Sequence, residues 1–67
     1  MLTVEVYRDG TLARVFQLQY GENFCICKLS ARDAGPAEHC LRILGLVRKG
    51  PWRETKSGWY AELERGK

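Results

Sequence analysis

The chain has 67 residues and a net charge of +3, with 45% hydrophobic and 28% charged side chains. Those values describe an ordinary folded chain rather than a disordered tail, and the length allows one domain, 1–67, with a thin core. No apolar run approaches the ~20 residues that cross a bilayer, and the Met1–Glu5 start lacks the features of a signal peptide, so the expected location is the cytoplasm.

The first element is a β-hairpin. Leu2–Arg8 alternates, Asp9-Gly10 is a two-residue turn signal, and Thr11–Tyr20 alternates again. A type I′ turn there puts Arg8 opposite Thr11. That register groups Leu2, Val4, Val6, Ala13 and Val15 on one face, which reads as core. On the other face Glu5 lies opposite Arg14, Thr3 opposite Phe16 and Tyr7 opposite Leu12. This second face, with Tyr7, Leu12, Phe16 and Leu18, is too apolar to be wholly wet. Either a bulge turns its far end inward, or a partner or second copy covers it.

Gly21-Glu22-Asn23 reads as a turn, and Phe24–Leu29 as a third strand. A helix follows. Ser30 or Asp33 can open it, but Gly35-Pro36 favours a start at Pro36, because proline suits the first helical turn. Ala37, Cys40, Leu41 and Leu44 then form one apolar stripe, Glu38 and Arg42 an i, i+4 pair, and Gly45 the stop. The last segment reads as a second hairpin, with Trp52–Thr55 and Trp59–Glu64 flanking Lys56-Ser57-Gly58. Trp59, Ala61 and Leu63 share one face of it; Tyr60, Glu62 and Glu64 share the other. The expected class is α+β: two hairpins and a third-strand segment in a small antiparallel sheet, with one helix packed on one face.

Catalytic constellations are missing from the sequence. The single histidine, His39, neighbours Cys40, and adjacent helical side chains diverge by about 100°, which disfavours a Cys–His nucleophile pair. Cys25, Cys27, His39 and Cys40 supply four soft ligands. A C-x-C pair on a strand presents both thiols to one face, but His39-Cys40 cannot easily converge on the same ion, so no metal or cofactor is expected. The three cysteines suit no disulfide framework and read as small apolar residues.

Charge is informative through its distribution. Residues 1–47 are neutral, whereas 48–67 hold six basic against three acidic side chains. There Arg48, Lys49, Arg53 and Lys56 interleave with Trp52, Trp59 and Tyr60, a mixture suited to phosphate contacts and base stacking. The two tryptophans compete for that role with the core, which needs their area.

The run Leu41–Lys49 followed by Trp52–Leu63 resembles the last helix and wing of winged-helix DNA-binding proteins, in which a helix ends in a short strand before a basic-tipped hairpin. A β-hairpin stands where that family has its two preceding helices. Ser57–Gly66 also resembles a strand of the arm-binding domains of phage integrases, although Glu62 and Glu64 share the face of Tyr60. In size and layout the chain resembles anti-CRISPR inhibitors, several of which open with a hairpin like Val4–Val15. The function expected from these features is a non-enzymatic accessory protein, of phage or mobile-element type, that binds and inhibits a protein or nucleoprotein target such as a CRISPR effector complex. The alternative is direct nucleic-acid binding by the basic aromatic C-terminal hairpin.

Overall fold

A computed structural model describes residues 1–10 and 12–66. Its elements in chain order are β1 (Leu2–Tyr7), β2 (Ala13–Gln19), β3 (Glu22–Leu29), α1 (Ala34–Ile43), β4 (Leu46–Arg48), β5 (Arg53–Glu54) and β6 (Gly58–Arg65). The strands form one six-stranded antiparallel sheet in the order β3-β2-β1-β6-β4, with β5 also on β6. The protein is thus α+β and dominated by its sheet.

The β1–β2 register follows the alternation, with Thr3 opposite Phe16, Val4 opposite Val15 and Glu5 opposite Arg14. The connection differs from expectation. Gly10 has φ 86°, but Asp9 does not share the positive region that a type I′ turn requires of both residues. The C-terminal hairpin holds this end of β1 instead: the Arg8 N–H donates to the Ser57 carbonyl at 2.7 Å, and its guanidinium pairs with Glu54 over the Trp59 ring. The expected pairing of Arg8 with Thr11 lies outside the described residues, and the ladder ends before Tyr7 and Leu12 can pair.

The primed turn falls one connection later. Tyr20 (φ 54°) and Gly21 (φ 78°) both lie in the left-handed region, between paired Gln19 and Glu22. The turn is therefore Tyr20-Gly21, and β3 begins at Glu22 instead of Phe24. Along β3, Val15 faces Cys27 while Phe16 faces Cys25, so Ile26 is an extra residue in a bulge. Residues directly opposite share a face, which puts Cys27 on the side of Val15 and Cys25 on the side of Phe16. The two thiols of the C-x-C pair thus lie on opposite faces, contrary to the single face expected. The bulge is in β3 and not in β2, so it leaves Phe16 and Leu18 where the alternation put them.

Helix α1 starts at Ala34, two residues before Pro36. The Asp33 carboxylate accepts from the Gly35 N–H at 3.1 Å and caps the helix. Pro36 is then the third helical residue, still within the turn where a missing N–H leaves no bond unmade. Gly45 (φ 78°), just past the Leu44 cap, turns the chain out of the helix, and its N–H donates to the Arg42 carbonyl. Ala37 and Leu41 are buried and Cys40 is half-buried, but Leu44 is the C-cap and half exposed, so the stripe stops a turn early. The core is aliphatic: Val4, Val6, Val15 and Leu41 are its largest fully enclosed side chains, joined by Leu2, Leu29, Leu46, Ala61 and Leu63. Trp52 and Trp59 pack against it from the margin.

Gly58 opens β6. A Cβ built there would lie 1.8 Å from the Val6 carbonyl oxygen, and the φ of 158° is one that L residues rarely adopt, so close approach of β1 and backbone conformation both demand glycine. None of the described helices is long and apolar enough to cross a membrane.

Candidate functional site

Strand pairing assigns each side chain to a face. Leu2, Val4, Val6, Ala61, Trp59, Leu63, Leu46 and Arg48 belong to the helix side; Thr3, Glu5, Tyr7, Arg14, Phe16, Leu18, Tyr60 and Glu62 belong to the open side. The helix covers only part of its own face, since a helix is ~10 Å wide and the strand path β3 to β4 spans about 20 Å.

Among the described residues, the open face is covered by its own side chains. Thr3 is buried, beneath a layer that includes half-buried Phe16, Tyr60 and Tyr7. A shallow concavity of about 180 Å³ is lined by Met1, Thr3, Glu5, Phe16, Leu18, Asn23 and Tyr60. Large apolar side chains remain exposed at this end of the sheet: Leu12, Leu18, Tyr20 and Ile26, with Phe24, opposite Gln17, on the helix side. Of the expected patch, Phe16 and Leu18 line this concavity and Tyr7 lies further along the same face. Leu12 lies just outside β2, and Tyr60 joins from β6, which sequence reading had grouped with the basic residues. The Tyr7 hydroxyl donates to Glu5 Oε2 at 2.8 Å, and Arg14 lies over the Tyr7 ring at 5.8 Å. Desolvation, and then the Glu5 carboxylate, push the Tyr7 hydroxyl above its ordinary pKa, partly offset by Arg14.

The basic aromatic segment, in contrast, is divided. Arg48 turns to the helix side, where its Nε donates to Glu38 Oε1 at 2.6 Å and its Nη1 to the Gly50 carbonyl at 3.0 Å. Its guanidinium lies 5.8 Å from the centre of the Trp52 ring. Glu38 thus pairs with Arg48 and not, as expected, with Arg42. The half-buried guanidinium that β4 delivers offers a charge-assisted bond with more holding contacts than an exposed helical neighbour. Arg53, opposite Tyr60, belongs to the open face; Lys49 and Lys56 are exposed. Arginines thus lie over Trp52, Trp59 and Tyr7, so the interleaving of cations and rings is used within the fold.

Neither the Glu38–Arg48 pair nor the Arg8–Glu54 pair was visible in the sequence, because ten and 46 residues separate the partners. Among the described residues, no group of three His, Cys, Asp or Glu side chains comes together to hold a metal. Comparison with protein-family models, with curated proteins and with solved structures finds no match for this chain.

Proposed function

We propose that the chain is a non-enzymatic accessory protein, of phage or mobile-element type, that binds and inhibits a protein or nucleoprotein target through the open face of its sheet. The observation that carries this reading is the 180 Å³ concavity lined by Phe16, Leu18 and Tyr60, with Tyr7 further along the same face. Aromatic and aliphatic side chains supply contact area at small entropic cost, and Glu5, Arg14 and Glu62 give the rim both signs of charge. A CRISPR effector complex is one target of suitable kind. Direct nucleic-acid binding by the C-terminal hairpin has weaker support, since the neighbours of Arg53 include Glu62 on the same face.

The test is affinity capture from nuclease-treated lysate with the wild type, Leu18→Glu and an Arg53→Gln/Lys56→Gln double variant. Leu18 is 40% exposed, so the change is expected to leave the fold intact, which circular dichroism checks. The expected outcome is a protein captured by the wild type and the double variant but lost by Leu18→Glu. Capture only from untreated lysate, or capture that Leu18→Glu leaves intact, rejects the open face as the site.

A further inference from the structure

On the helix side, where α1 meets the β4 edge, lies a cavity of about 350 Å³ lined by Glu38, Leu41, Arg42, Leu46, Val47, Arg48, Lys49 and Gly50. We infer that this cavity is a binding site for a phosphate group, independent of the open face.

Charge is the first argument. Three cations, Arg42, Arg48 and Lys49, line the cavity against one carboxylate, Glu38. Glu38 is already paired with Arg48, and the side chains of Arg42 and Lys49 make no hydrogen bond or ion pair among the described residues. Arg42 and the Nη2 of Arg48, unpartnered among the described residues, therefore both belong to this lining, while Lys49, directly opposite Glu62 in the ladder, stands at its rim. A phosphate has oxygens enough to accept from both guanidiniums at once.

Pre-organisation is the second. The Arg48 guanidinium is held by Glu38 through Nε, by the Gly50 carbonyl through Nη1 and by the Trp52 ring, while Nη2 has no partner among the described residues. A planar donor already fixed in place loses little freedom when it meets phosphate oxygens. Leu41 and Leu46 supply an apolar wall, beside which a charge-assisted hydrogen bond is stronger than in open water. The volume lies at the lower end for small-molecule sites, roughly 300 Å³ and above, and admits a pyrophosphate or the backbone of a short strand segment.

The experiment is calorimetric titration at low ionic strength with two probes, inorganic pyrophosphate and a short oligodeoxythymidine, with acetate as competitor. Tryptophan fluorescence gives a second readout, because Arg48 lies over Trp52. Saturable binding is expected, weakened about tenfold by Arg42→Gln, as for loss of one hydrogen bond to a charged group. Arg53→Gln and Lys56→Gln, remote from the cavity lining, leave it unchanged. Equal affinity for both probes assigns the site to small phosphates; at least tenfold tighter oligonucleotide binding assigns it to a strand. The inference is overturned if neither probe saturates, if acetate displaces them equally well, or if Arg53→Gln weakens binding as much as Arg42→Gln does.

Discussion

Replacing Gly58 by alanine puts a methyl group 1.8 Å from the Val6 carbonyl oxygen and 2.8 Å from its carbon, both backbone atoms of the central strand β1. Carbon and oxygen settle at about 3.3 Å or more, so the two strands must part by roughly 1.5 Å where they meet. That movement strains the bonds clustered there: the Arg8 N–H to the Ser57 carbonyl at 2.7 Å, the Thr55 N–H to the Gly58 carbonyl at 2.7 Å and the Gly58 N–H to Thr55 Oγ1 at 3.1 Å. Overpacking costs about 1–3 kcal/mol and the three weakened hydrogen bonds together about 2 kcal/mol, so the expected loss is ~3–5 kcal/mol. A chain of this size has roughly 3–10 kcal/mol in total, so much of its stability goes. Thermal denaturation followed by circular dichroism should show the midpoint falling by at least about 12 °C, at roughly 4–8 °C per kcal/mol. Gly50→Ala is the control, since its Cβ meets nothing within 4 Å. Midpoints for the two variants within a few degrees of each other would refute the close-approach argument.

Other perturbations test other parts of the fold. Tyr20 is 93% exposed and held at φ 54°, so Tyr20→Asn relieves left-handed strain of about 1 kcal/mol without losing burial; urea denaturation should show a higher midpoint at unchanged slope. Asp33→Ala removes the α1 cap and should cost about 1 kcal/mol by the same measurement, whereas Asp33→Asn should cost less. The raised Tyr7 pKa favours the neutral phenol in the folded state: its contribution is complete below the unfolded value near 10 and is lost as pH rises through the folded value. Stability of the wild type should therefore fall more steeply above pH ~10 than that of Tyr7→Phe, and parallel curves would remove the Glu5 contact from the account.

Where the sequence was legible, a local rule and the tertiary structure agreed. The alternation on both sides of Asp9-Gly10 gave the β1–β2 register even though the turn itself is of another kind, because burial of Val4, Val6 and Val15 sets the register independently of the loop. The faces of β6 and the stop at Gly45 were legible for the same reason. Tyrosine is no turn former, so nothing local marked Tyr20; the primed geometry there follows from a two-residue connection between twisted strands. Pro36 misled because proline is acceptable throughout the first helical turn, and only the Asp33 side chain settles which residue opens it. The candidate sites divide similarly. The apolar face could be read from period two, but the bulge at Ile26, the Glu38–Arg48 pair and the cavity beside it depend on what β3, β4 and α1 bring together.

The position of β6 has a consequence for how this chain folds. The last strand in sequence lies inside the sheet, flanked by β1 on one side and by β4 and β5 on the other, with Leu2 opposite Leu63. The β1–β2–β3 meander can form early from near neighbours, yet it leaves β1 with an unpaired edge until residues 58–65 arrive. Closing that gap means paying loop-closure entropy for most of the chain before the Val4–Ala61 and Leu2–Leu63 contacts form. The rate-limiting event expected from this topology is insertion of β6: substitutions at Ala61 or Leu63 should slow folding, whereas those in α1 should chiefly speed unfolding, as stopped-flow refolding would read.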